Sequence, residues 1–309
     1  MPDQSPHITL ALCTFNGAAR LSEQLQSFLD QDHKAWSLWV SDDGSEDDTL
    51  DILDAFARDH GARHPVRVVQ GPRAGAGQNY LSLLCHPEFP AGPVALSDQD
   101  DVWYPDKLGR ALSRLAPVAG PAVYGAQSRH VSPDLTPIGA SRRAPGPFCF
   151  ANALVQNVVS GHSAVLNAEG LALLRAAGVR PGIAFHDWWL YLLITGAGGQ
   201  VVIDDAEVLL YVQHGHNMMG AHRGARATMA RMAMVLRSEY RGWVDSNCAA
   251  LADCAAWLTP EARTLLERYR TAPARRGWSR IALMRELGLR RQSTIGTLCL
   301  YLAAGLGRL

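Results

Sequence analysis

The chain has 6 cysteines in 309 residues but no C-x-x-C pair and no Cys/His spacing of a zinc module, so they are read as reduced thiols. Long apolar runs are missing too. The longest near the end, residues 294–307, is below the ~20 residues that a spanning helix needs. Residues 1–7 lack the basic flank of a signal peptide. These absences give the expectation of a cytoplasmic catalytic body with, at most, surface contact to a membrane. There are no Ser-rich, Gln-rich or charge-block tracts, and 48% hydrophobic with 19% charged residues is an ordinary globular composition. The chain is expected to fold throughout.

Net charge is absent as well, with 29 basic against 29 acidic residues, but the balance is uneven. Residues 222–309 hold fifteen Arg, no Lys and six acidic residues, an excess of nine positive charges offset by nine negative ones over 1–221. An acidic body argues against general nucleic-acid binding. A basic, partly apolar tail suits an anionic membrane surface or a partner, unless it is only a set of solvated Arg-rich helix faces.

What is present in the first half is alternation. Short apolar runs at Ile8–Cys13, Trp36–Ser41, Val66–Gln70 and Pro93–Ser97 read as strands, separated by amphipathic helical stretches at 18–31, 46–60 and 76–85. Repeated βα units imply an α/β fold with a mostly parallel central sheet flanked by helices. Ser45 reads as the N-cap of the second helix, with Glu46, Asp47 and Asp48 in its first turn. Later come a helix near 168–177, the run His186-Asp187-Trp188-Trp189, and two strands at Gln200–Asp204 and Glu207–Gln213. Everything after about 222 reads as helix, so the expected domains are 1–221 and an all-helical appendage, 222–309.

Ligands of open α/β sheets bind beyond the carboxyl ends of the strands. Three polar clusters stand there: Thr14-Phe15-Asn16-Gly17, Asp42-Asp43-Gly44-Ser45 and Asp98-Gln99-Asp100-Asp101. Period-two alternation would put Asp98 and Asp100 on one side. Like charges ~4 Å apart cost roughly 4 kcal/mol at an effective dielectric of about 20, so the cluster calls for a cation, a raised pKa or full solvation. Mg²⁺ or Mn²⁺, which combines few carboxylates with phosphate oxygens, would make it a diphosphate site. Asp42 and Asp43 are not a calcium loop, because Gly44 comes too early, and they can accept hydrogen bonds from a base or ribose or cap a helix. Gly75-Ala76-Gly77-Gln78-Asn79-Tyr80 lacks a third Gly, which disfavours hydride transfer. Asp187, among aromatic residues, is either a desolvated general base or a helix-capping residue. His214 and His216 follow a strand and are either metal ligands or structural.

Taken in order, Cys13-Thr14-Phe15-Asn16-Gly17, Ser41-Asp42-Asp43-Gly44-Ser45, Ser97-Asp98-Gln99-Asp100-Asp101-Val102-Trp103, His186-Asp187-Trp188-Trp189 and Gln213-His214-Gly215 resemble family 2 glycosyltransferases, and among them the rhamnosyltransferase-like bacterial branch. The resemblance spans about residues 7–220. It implies a GT-A fold, a nucleoside-diphosphate sugar donor (dTDP-rhamnose for that branch), Mg²⁺ or Mn²⁺, and a saccharide or lipid-linked acceptor. Thr14, Asn16, Asp43, Asn79 and Asp98 are the expected donor-binding residues, Asp43 toward the nucleoside and Asp98 toward the ribose. Asp100 and His214 are the expected metal ligands, with Asp101 and His216 as their alternates, and Asp187 is the expected catalytic base. Gln70-Gly71-Pro72-Arg73 departs from the Asn-rich turn common in relatives. An inverting transfer fits these parts, since a pyrophosphate leaving group needs charge neutralisation and an acceptor hydroxyl needs a base. The alternatives are an inactive sugar-nucleotide scaffold and, less well matched, a glycoside hydrolase, which needs two carboxylates but no nucleotide-binding half.

Overall fold

The computed structural model describes residues 6–141, 143–213, 238–271 and 277–308. Its first half is the expected alternation: β1 Ile8–Thr14, α1 Ala18–Leu29, β2 Trp36–Asp42, α2 Thr49–His60, β3 Val66–Gln70, α3 Ala76–Leu84 and β4 Val94–Ser97. There follow β5 Val102–Trp103, α4 Lys107–Leu115, β6 Ala122–Val131, β7 Pro137–Ala140, α5 Phe150–Ala153, β8 Val165–Leu166, α6 Ala168–Ala177, α7 His186–Gly196 and β9 Gln200–Val212. Four further helices are α8 Ser238–Asp253, α9 Pro260–Thr271, α10 Trp278–Glu286 and α11 Thr294–Gly305.

One sheet runs in the order β3-β2-β1-β4-β8-β6-β9-β5, with β7 on β6. Its β3-β2-β1-β4 half is parallel, as is β6 with β9, whereas β8, β5 and β7 enter antiparallel and make the sheet mixed. Alternate residues of β1 serve the two faces. Ile8, Leu10 and Leu12 pack with Leu25 and Phe28 of α1, Leu53 of α2 and Leu108 of α4. Ala11 and Cys13 look the other way, into a core shared by α3, α6, α7 and the last four helices, including Tyr240, Leu251, Leu266 and Leu300. Burial on both faces explains why the first strands read as continuous apolar runs.

Two local expectations are corrected. The second helix begins at Thr49, and Ser45 does not cap it: the Ser45 hydroxyl donates to Asp42 and accepts from the Asn16 amide. Asp47 joins the starts of two helices instead, taking the Ala18 amide of α1 at 3.0 Å and the Thr49 amide of α2 at 3.1 Å. The two late strands are one, β9, because β6 holds its whole length through register shifts around Gln127 that absorb the polar interruption.

Candidate functional site

Three strand ends and three turns meet at the carboxyl edge of the parallel half. Thr14, at the end of β1 and 1% exposed, donates its hydroxyl to Asp42 Oδ2 at 2.8 Å. Asp42 Oδ1 takes the amides of Gly44 and Ser45 at 3.0 and 2.8 Å. Burial raises the Asp42 pKa, but the hydrogen bonds of Ser45, Thr14 and Gly44 outweigh it and leave the pKa lowered. Asn16, held at a φ of 47°, takes the Glu46 amide on its Oδ1 at 2.8 Å, so the first and second loops are laced together. Asp43 binds the third loop, its two oxygens taking the amides of Arg73 at 2.6 Å and Gly75 at 2.8 Å. That is how the chain closes the turn that departs from the Asn-rich pattern. Asn79, also buried, donates to the Ser41 carbonyl at 2.9 Å. A Cβ on Gly71 would lie 2.6 Å from Asn79 Oδ1 and 2.9 Å from Asp43 Oδ1, so the turn closes only over glycine.

The acidic turn follows β4. Gln99 clamps it to the first loop, accepting the Phe15 amide at 2.8 Å and donating to the Phe15 carbonyl at 3.0 Å. This clamp and the pairing of Val102 with Leu210 bend the chain beyond Ser97, so the period-two expectation lapses. Asp98 groups with Asp101 and with His162, a residue that sequence reasoning missed. Their ligand atoms all lie within 4.8 Å of one another. Burial and then the charge of Asp100 push the Asp98 pKa up to about 6, against a hydrogen bond from Tyr80 at 2.9 Å. Burial, then Asp98 and Asp100, raises the Asp101 pKa well above the carboxylate range. Among the described residues Asp101 has only the Val212 backbone as a hydrogen-bond partner, and His162 Nε2 has none. Burial lowers the His162 pKa to about 3, so its imidazole is neutral and able to ligate.

Lys107 is a cation beside this cluster and one of only two lysines in the chain. It is fully buried at the start of α4, its Nζ 3.5 Å from the Trp103 ring centroid and 2.6 Å from the His162 carbonyl, to which it donates. Burial lowers its pKa well below the usual value, opposed by the charges of Asp101 and Asp98.

Asp187 lies in the first turn of α7. Its Oδ1 takes the Trp188 amide at 2.7 Å and its Oδ2 the Gly161 amide at 3.1 Å. Burial pushes its pKa up to about 6, against these bonds and one from Asn157. Trp188 and Trp189 do not surround it: both point into the core, Trp188 donating to the Ala153 carbonyl at 2.6 Å. Asp187 and the acidic turn, far apart in sequence, are close enough that Asp187 raises the Asp98 pKa. His186 stacks on Tyr80 with centroids 3.9 Å apart, tying α7 to the ring that holds Asp98. Thus Thr14, Asn16, Asp43, Asn79, Asp98, Asp100 and Asp187 belong to one linked edge, while His214 and His216 lie outside the described residues.

The donor set fits a hard divalent cation. Two carboxylates and a neutral imidazole converge, and among the described residues Asp101 and His162 Nε2 have few partners other than one another.

Residues 9–156 match the family model described as glycosyl transferase family 2. A dTDP-rhamnosyl transferase, RfbG of Shigella flexneri, is 27% identical over 260 residues, covering 78% of this chain and 85% of that protein. A putative teichuronic acid biosynthesis glycosyltransferase of Bacillus subtilis, TuaG, is 23% identical, covering 61% of this chain and 73% of the relative. Among solved structures, a mannosyltransferase from Pyrobaculum calidifontis in complex with GDP-Man and Mn²⁺ superposes with a TM-score of 0.53 at 18% identity, covering 98% of this chain and 87% of that one. TarS of S. aureus in complex with UDP-GlcNAc gives 0.53 at 15% identity over 85% and 87% of the two chains. These structures share the GT-A fold with this chain. The matched segment, residues 9–156, and the ordered motifs make this chain similar to family 2 of the glycosyl transferases, while the solved structures speak for the fold alone.

Proposed function

We propose that the protein is a metal-dependent, inverting glycosyltransferase. It moves a sugar from a nucleoside diphosphate onto an acceptor hydroxyl in the synthesis of a cell-surface polysaccharide or glycolipid. Rhamnose from dTDP-rhamnose is the transferred sugar favoured by the likeness to the Shigella relative. The observation that carries this reading is the pairing at one sheet edge of an acidic cluster short of partners with a separate carboxylate, Asp187, whose pKa is about 6.

In this reading Asp43 and Asn16 face the donor from the loops they lace together, and Thr14 and Asn79 act from below by fixing those loops. Asp98 and Asp101 with His162 would hold Mg²⁺ or Mn²⁺, and Asp100 and His214 are the ligands that the resemblance adds. When bound, the cation neutralises charge on the diphosphate leaving group. Asp187 takes the proton of the acceptor hydroxyl as its oxygen bonds to the anomeric carbon. The bond from that carbon to the diphosphate breaks on the opposite face, its electron pair leaving with the phosphate. A pKa of about 6 leaves Asp187 ionised at neutral pH yet basic enough to accept the proton. Residues 1–221 carry this chemistry and 222–309 form the helical appendage, the boundary itself lying outside the described residues.

A panel of nucleoside-diphosphate sugars read by thermal shift with Mn²⁺, followed by turnover of the best donor, tests the reading. Stabilisation by at least one such donor and its metal-dependent hydrolysis or transfer are expected. A panel with no stabilisation and no turnover would overturn it.

A further inference from the structure

Helix α11, Thr294–Gly305, contains no charged side chain. Its inner face, Leu300, Ala303 and Ala304, is buried in the common core. Its outer face is apolar as well: Ile295, Leu298, Leu302 and, just past the helix end, Leu306 are 62%, 63%, 54% and 60% exposed. Spacings of three and four residues put these four on one stripe. Trp278 extends it, 86% exposed at the start of α10, where the neighbouring Gly277 amide donates to the Gly305 carbonyl at 2.8 Å. Contiguous exposed apolar surface of this kind marks an interaction site.

The surroundings select the occupant. Exposed Arg290 precedes the stripe and exposed Arg308 follows it, while Arg241, paired with Asp245 at 3.3 Å, donates to the Gly307 carbonyl at 3.4 Å. An apolar stripe with an aromatic side chain at one end and Arg at both ends fits the interface of an anionic bilayer, where apolar side chains enter the acyl boundary and cations meet lipid phosphates. No helix among the described residues is long and apolar enough to cross a membrane. The linker before α11 also reaches the catalytic edge. Arg291 donates to the Val155 carbonyl at 3.4 Å, and the Gln292 amide donates at 2.7 Å to Oε1 of Gln156, the residue before Asn157, which hydrogen-bonds Asp187.

We infer that the outer face of α11 with Trp278 docks on an anionic phospholipid leaflet and so brings a lipid-linked acceptor to Asp187. The acceptor half rests on the transferase reading above, whereas the docking half does not. Flotation of the whole protein with phosphatidylcholine vesicles, with and without phosphatidylglycerol, tests it, beside the variant Leu298→Ser/Leu302→Ser, whose sites are exposed and whose thermal midpoint should be unchanged. Wild type should float with phosphatidylglycerol at low salt, and the variant's partition should fall by about tenfold or more. Size exclusion of both proteins reads the competing occupant, a second copy of the chain. Failure of wild type to float, undiminished flotation of the variant, or a wild-type dimer that the variant breaks would each overturn the docking. Donor-induced thermal shifts on the same samples report the transferase reading separately.

Discussion

The Gly161 amide donates to Asp187 Oδ2 at 3.1 Å, while the carbonyl of the next residue, His162, takes the Lys107 ammonium at 2.6 Å. One short turn, Gly161–Ser163, therefore carries a bond to the proposed base, a bond to the buried cation and the His162 ring beside Asp98 and Asp101. Its first residue has no room for a side chain: a Cβ on Gly161 would lie 2.7 Å from His186 Nε2. His186 cannot give way freely because it is stacked on Tyr80. Gly161→Ala should cost about 1–3 kcal/mol by overpacking and lower kcat more than it raises the donor KM, as urea unfolding and steady-state kinetics would show. A fully active, equally stable variant would mean that the turn does not position Asp187.

Replacing the proposed base should separate chemistry from binding. Asp187→Asn should lower kcat by about 10²- to 10⁴-fold with donor affinity nearly unchanged. The wild-type rate should depend on pH in the direction of a base: the active form is deprotonated, so kcat falls as pH drops through about 6 and levels off above it. Loss of donor binding in the variant, or a rate flat from pH 5 to pH 8, would make Asp187 structural.

Lys107 faces two carboxylates from a fully buried position. Removing one partner of a buried charged set leaves the other uncompensated, so Lys107→Met should destabilise the fold by roughly 3–5 kcal/mol in urea melts. Adding Asp101→Asn to that variant should recover a large part of the loss. Equal destabilisation in the single and double variants would show that the two charges do not interact.

Chelation should abolish turnover, and Mn²⁺ or Mg²⁺ should restore it. His162→Ala should raise the Mn²⁺ concentration needed for half-maximal activity by about tenfold or more, because one of three converging ligand atoms is lost. Activity that persists in excess EDTA, or an unchanged Mn²⁺ titration in the variant, would remove the metal from this account.

The parallel half of the sheet was legible because β1, β2 and β4 are buried along their whole length and each helix has one apolar side, so β1 to β4 and α1 to α3 fall within a few residues of the sequence reading. Asp98 and Asp187 could be picked out in the sequence as a carboxylate at a strand end and one at a helix start, and the structure brings the two to one edge. His162 and Lys107 were not legible. A histidine between Gly161 and Ser163 and a lysine at the start of an amphipathic helix look like surface residues, and only the pairing of β8 with β4 and β6 carries the 161–163 turn to the acidic cluster. Ser45 was misread for a related reason: a good capping residue near a helix start is also a good partner for a buried carboxylate, and Asp42 wins it.

The most direct test of the central claim is the anomeric configuration of the product, read by NMR after transfer from the best-binding nucleoside-diphosphate sugar in the presence of Mn²⁺. A single displacement assisted by Asp187 gives a glycoside of configuration opposite to that of the donor. A product that retains the donor's configuration, or a donor hydrolysed by water with no acceptor that competes, would contradict it.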